Sequence, residues 1–129
     1  MSAAEYQALL QKPQKSKYGS KRVEYEGKKF DSQAEANYYA QLKYLWLAGD
    51  ILQIELQPEY VLQEAGVDNE GNKIRQIIYR ADFRVLYRNG KREVIDVKGH
   101  RTKEYLLKIK MLRKKYPDIN FREVNANEV

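Results

Sequence analysis

The 129-residue chain contains no cysteine, which excludes a disulfide framework and any thiolate metal site. No stretch is apolar for long enough to cross a bilayer, and the first residues lack the apolar run of a signal peptide. A cytoplasmic protein without a membrane partner is the expectation. Internal repeats and long low-complexity tracts are missing too. The length suits one domain built on a single core.

Positive charge is plentiful. Lys and Arg number 24 against 18 Asp and Glu, giving a net charge of +6 and a pI near 9.4. Such an excess fits a polyanionic partner, and its distribution strengthens the case. Residues 12–29 carry Lys12, Lys15, Lys17, Lys21, Arg22, Lys28 and Lys29 against Glu24 and Glu26. Residues 98–115 carry Lys98, Arg101, Lys103, Lys108, Lys110, Arg113, Lys114 and Lys115 against Glu104. Two such blocks read as a phosphate footprint.

Residues 1–29 are expected to form a flexible basic arm with a short helix from Ala3 to Leu10. Asp31 or Ser32 then caps a helix running to about Ala48, with Gly49 as its stop. Its inner stripe is Tyr38, Tyr39, Leu42, Leu45 and Trp46. A strand follows over 53–63, with Pro58 implying an edge or bulge, then a polar loop over 66–73. Ile74 to Arg88 reads as a second long strand, Asn89-Gly90 as a hairpin turn, and Arg92 to Lys98 as a third strand. Thr102 caps a second helix with Tyr105, Ile109, Leu112 and Tyr116 on its stripe, ended by Pro117. Ile119 to Val124 is a last strand, and 126–129 a frayed tail. The fold class expected is α/β of the α+β kind: helix, three-strand meander, helix, strand. The helical crossover makes the last strand parallel to a member of the meander, so both helices pack on a central mixed sheet over 30–125.

Chemistry concentrates at Asp82 and at Asp96-Val97-Lys98. On neighbouring strands two carboxylates and an amine come together, and alternation puts Asp96 and Lys98 on one face. Two carboxylates suit Mg²⁺ or Mn²⁺, whose other positions water can fill. A bound cation can acidify a water and neutralise charge building at phosphorus. Lys98 supplies a compact charge that Arg would not match. Other readings stand beside this one. Glu26-Gly27-Lys28 fits the same acid-x-Lys pattern in a glycine-marked turn, and Asp82 can instead pair with Arg80 or Arg84. Asp96 and Lys98 can simply pair with each other. Glu35 lies on the inner stripe of the first helix, yet Ser32-Gln33-Ala34-Glu35 is also a capping box. Both readings of Glu35 stay open.

The order Glu35, Asp82, Asp96-Val97-Lys98, basic helix, strand resembles the PD-(D/E)XK nuclease superfamily with its restriction-endonuclease-like core. Phe30-Asp31-Ser32-Gln33-Ala34-Glu35-Ala36, Glu55-Leu56-Gln57-Pro58, Tyr79-Arg80-Ala81-Asp82-Phe83 and Val94-Ile95-Asp96-Val97-Lys98-Gly99 are similar to a family of small phage and prophage proteins of that superfamily. The likeness covers about residues 18–120. It implies a DNA endonuclease in which Asp82, Asp96 and the Val97 carbonyl bind Mg²⁺ or Mn²⁺, with no small-molecule cofactor. It further implies that Lys98 is the catalytic lysine and Glu35 an additional or water-mediated metal ligand. Ala81 stands where the superfamily name has proline, and no chemistry depends on that proline. Gln57 falls where several relatives carry a polar side chain near the site. The basic blocks nominate Lys21, Arg22, Lys28, Lys29, Arg101, Lys103 and Lys108 as DNA contacts, and His100 as a further phosphate contact. A phage-type protein in the bacterial cytoplasm, acting as a homodimer on branched intermediates such as Holliday junctions, is the implied setting. Mismatch-, nick- or transposition-directed cutting is the alternative within the class. Outside it lie a non-cleaving replication accessory protein and an RNA-binding protein using its eleven tyrosines as stacking platforms. Tyr38, Tyr39, Tyr105 and Tyr116, however, fall on helix stripes and read as core.

Overall fold

The computed structural model describes residues 22–129; the expected helix at Ala3–Leu10 and Lys21 lie outside them. Glu26 and Gly27 adopt φ of 52° and 77°, the two positive values that a tight hairpin turn requires. They fold Val23–Tyr25 (β1) back onto Lys28–Phe30 (β2). Glu26-Gly27-Lys28 is therefore a turn, with Glu26 3.7 Å from Lys43. Phe30 is 2% exposed and packs on Tyr39 and Phe83, at ring distances of 5.1 and 6.5 Å. The basic arm thus cannot extend to residue 29, because Val23, Tyr25 and Phe30 join the core.

Ser32 caps the helix Gln33–Leu47 (α1), its Oγ accepting the Glu35 N–H at 3.1 Å. Gly49, at φ 87°, turns the chain out of it. Tyr38, Tyr39 and Leu42 are buried as expected, but Trp46 is not. The last turn overruns the core, and Tyr44, Trp46 and Leu47 are exposed there, with Lys43 over the Trp46 ring at 4.6 Å.

Both long strands expected from the alternation are broken. The first divides into Ile51–Leu56 (β3) and Glu59–Gln63 (β4), because Gln57 takes φ 51° and Pro58 cannot donate to a ladder. The polar loop contains a two-residue ladder, Gly66–Val67 (β5) with Lys73–Ile74 (β6). The second long strand divides into Ile77–Arg80 (β7) and Phe83–Tyr87 (β8). Asn89-Gly90 reverses the chain inside a loop closed by Tyr87 N–H on Lys91 O at 2.8 Å. Arg92–Lys98 (β9) is continuous. Thr102 caps Lys103–Lys115 (α2) by accepting the Tyr105 N–H at 3.0 Å, and Phe121–Asn125 (β10) returns parallel to β9. The tail expected to fray is instead a turn of 3₁₀ helix, Ala126–Glu128, because Ala126 and Val129 find apolar partners in the core.

The result is a small α+β protein that, among the described residues, has two α-helices and a mixed four-stranded sheet in the order β10-β9-β8-β3. β4 and β7 form a separate antiparallel ladder. Two apolar clusters sandwich the sheet. Phe83, Val85, Ile95 and Val97 face α1 with Phe30, Tyr38, Tyr39 and Leu42. On the opposite side Val94, Tyr79 and Ala81 meet Tyr105 and Leu112 of α2. Since the hairpin β1–β2 closes the α1 side, Phe30→Ala should cost about 3–5 kcal/mol in a chemical denaturation curve. A loss below 1 kcal/mol would show that the folded unit begins after residue 30.

Candidate functional site

β3 to β4 and β7 to β8 break at the same level. Gln57 donates its N–H to Asp82 O at 2.9 Å, and Ala81 donates to Pro58 O at 3.0 Å. On the other side Asp82 N–H reaches Ile95 O at 3.2 Å. Asp82 is thereby fixed between two strands as the chain changes partners. One step beyond the pair Phe83–Ile95, Asp82 stands opposite Asp96, whose side chain alternation turns away from the α1 face. Here β8 no longer covers β9, so Val97 N–H takes the Asp82 carboxyl instead, to Oδ2 at 2.7 Å. In a strand a residue's N–H and C=O point toward the same neighbour, so the Val97 carbonyl is directed to this side as well.

Asp96 is 1% exposed. Its Oδ2 accepts a hydrogen bond from the Tyr79 hydroxyl. Its Oδ1 has no hydrogen-bond partner, alone among the buried side-chain nitrogen and oxygen atoms of the described residues. Lys98 Nζ stands 3.6 Å from that oxygen and 4.5 Å from the centre of the Tyr105 ring. The pairing of Asp96 with Lys98 is thus real, but it leaves Oδ1 without a donor in hydrogen-bonding geometry. Arg80 and Arg84 do not pair with Asp82: Arg80 holds Glu59 at 2.9 Å, and Arg84 holds Glu55.

Glu35 comes to this corner from the first turn of α1 and is 4% exposed. Burial pushes its carboxyl up to about 7, aided by the charges of Asp31 and Asp96 and opposed by the Asp31 N–H and Lys98. Half of the capping box forms, through Ser32 Oγ, while the carboxyl itself feels the acids of the site. Burial likewise holds Asp82 well above the carboxylate range, reinforced by Asp96 and Glu35 and opposed by the Val97 N–H. Three acids therefore share a poorly solvated corner, with the Lys98 ammonium 3.6 Å from one of them.

A cavity of about 260 Å³ opens beside them, with Lys28, Lys29, Glu35, Gln57 and Asp82 in its walls. Gln57, nominated from sequence, and two nominated lysines thus line the cavity onto which Glu35 and Asp82 open. The other basic candidates sit farther along the surface. Arg22 is exposed and 3.9 Å from Asp31, Arg101 is tied to Glu123 at 2.7 Å, and Lys108 lies 3.4 Å from Glu104. Lys103 is exposed at the start of α2, and His100 is exposed just after β9. Sequence reasoning passed over Tyr79. Counted along one unbroken strand, Tyr79 and Asp82 have opposite parity and should face opposite ways. The break at Ala81 removes that parity, so the only available signal was a polar-tipped aromatic three residues before an acid.

A protein-family model matches residues 15–127, nearly the whole chain. The chain belongs to that family, DUF1064, a family of proteins of unknown function. Curated proteins give no match.

The donor set suits a hard cation. Asp96 Oδ1 is a buried oxygen without a donor, a condition that costs about 1–3 kcal/mol, and Mg²⁺ and Mn²⁺ prefer such ligands. No group of three or more acidic or histidine side chains among the described residues forms a ready cage. A cation held by Asp82 and Asp96 would therefore draw its other ligands from the Val97 carbonyl and water.

The shifted acids have a consequence for the cation-free protein. Glu35 titrates near 4.5 when unfolded and about 7 when folded. Its contribution is full below 4.5 and fades as pH rises through 7. In EDTA the melting temperature should fall between pH 5 and 8, and Glu35→Gln should flatten the fall and raise the value at pH 8. Identical profiles for wild type and variant would contradict this electrostatic picture.

Proposed function

We propose that the protein is a divalent-metal-dependent endonuclease that hydrolyses DNA phosphodiesters, built on a restriction-endonuclease-like core of the PD-(D/E)XK type. The observation that carries the reading is the buried, donorless Oδ1 of Asp96, opposite Asp82 and 3.6 Å from Lys98 Nζ. The order of elements supports it: a Glu-bearing helix, a β3–β8–β9 meander, then α2 and the parallel β10.

Asp82, Asp96 and the Val97 carbonyl, with Glu35 beside them, would hold Mg²⁺ or Mn²⁺. When bound, such an ion lowers the pKa of a water and offsets charge at the phosphorus. The remaining work falls to the chain. Lys98, braced against Tyr105, presents a localised positive charge to the scissile phosphate or to the attacking water. Glu35 can accept a hydrogen bond from that water at its carboxylate. Lys28 and Lys29, in the wall of the cavity, meet the phosphate backbone as it enters, and Gln57 offers an uncharged contact between them and Asp82. Arg22, Arg101, Lys103, Lys108 and His100 would serve as further phosphate contacts away from the cavity.

The substrate that best fits a small basic nuclease of phage or prophage type is branched DNA, such as a four-way junction in the host cytoplasm. A two-fold homodimer would present one site to each of two opposing strands. The test is one metal-containing buffer with linear duplex, single strand, flap and four-way junction, together with a solution mass. Symmetric junction cuts by a dimer are expected, lost with EDTA. Asp96→Ala and Lys98→Ala should each reduce cleavage by about 10²-fold or more while DNA binding persists. Cleavage that survives chelation, or survives both substitutions, would rule out this mechanism.

A further inference from the structure

We infer that Tyr79 is a positioning residue that orients the Asp96 carboxylate toward a bound divalent cation, a role that rests on the nuclease reading. The Tyr79 hydroxyl donates to Asp96 Oδ2 in the buried interior, so the carboxylate cannot turn that oxygen outward without breaking the bond. The other oxygen, Oδ1, is the one left without a donor and the one facing Lys98. A carboxylate held by one oxygen and open at the other has the arrangement that outer hydrogen bonds give to metal ligands.

The Tyr79 ring is itself fixed. It is 4% exposed, sits 6.4 Å from the Tyr105 ring and 6.2 Å edge-on from Phe121, and belongs to the cluster under α2. Tyr105 in turn carries Lys98 over its ring and donates its hydroxyl to Glu123 at 2.8 Å. Adjoining tyrosines thus fix the carboxylate and the ammonium to one aromatic wall. The hydroxyl of Tyr79 adds nothing to apolar packing that phenylalanine would not supply, and its burial demands an acceptor. Asp96 is that acceptor.

The experiment compares wild type, Tyr79→Phe and Tyr116→Phe in Mn²⁺ titrations, reading both Mn²⁺ binding by calorimetry and DNA cleavage. Each protein is used where circular dichroism shows it folded. Tyr116 donates its hydroxyl to Val61 O at 3.0 Å, so its variant reports the loss of a tyrosine hydrogen bond elsewhere in the fold. Tyr79→Phe should need about 10-fold or more additional Mn²⁺ for half-saturation, with cleavage recovering at high Mn²⁺. Tyr116→Phe should keep the wild-type half-saturation. Equal half-saturation for Tyr79→Phe and wild type would overturn the positioning role and leave the nuclease reading intact. A wild-type protein that neither takes up Mn²⁺ nor cleaves DNA would overturn both.

Discussion

The architecture turns on the place where two chain segments change partners together. At Gln57-Pro58 and Ala81-Asp82 the backbone leaves the four-stranded sheet for the β4–β7 ladder. β9 runs on alone past that point on its β8 side. A sheet interior would have satisfied the Val97 N–H with backbone; here a side-chain carboxyl does so. That substitution brings Asp82 into the company of Asp96, and it fixes where every other group of the site must stand. Gln57 holds a left-handed conformation without being glycine, a local cost of about 1–3 kcal/mol that the Gln57–Asp82 bond helps to sustain.

Electrostatics then impose a second constraint. Glu35, Asp82 and Asp96 share one corner, and Lys98 is the charge of opposite sign that faces Asp96. Folding such a corner costs stability through desolvation and like-charge repulsion, so the arrangement is poorly explained as a device for holding the chain together. The two apolar clusters do that work without it. Acids gathered against their own preference, beside a cavity with lysines in its wall, are better explained by a ligand of positive charge and a second ligand of negative charge. In the proposed function these are a metal ion and a phosphate.

Much of the candidate site's placement was legible in the sequence because its parts are local. Ser32 as cap, Glu35 on the inward stripe and Asp96-x-Lys98 on one face follow from helical and strand periods alone, and β9 is a single uninterrupted strand. The errors cluster where periodicity is interrupted. Alternation carried straight through Gln57-Pro58 and Ala81-Asp82, although the partner strand changes there, and this concealed Tyr79. The hairpin at 23–30 read as part of a basic arm, since lysines on its exposed positions outweigh the few apolar residues that pack inward. Basic composition pointed to a polyanion, but it did not distinguish lysines at the cavity from arginines already tied to glutamates.

The proposed chemistry depends on one atom, Asp96 Oδ1, and one ligand, a divalent cation. A crystal soaked in Mn²⁺ and measured for anomalous scattering tests it most directly. A difference peak is expected within bonding distance of Asp96 Oδ1 and shared with Asp82, and it should disappear in Asp96→Asn. A well-ordered site with no peak at Asp96, or a peak that survives that substitution unchanged, would contradict it.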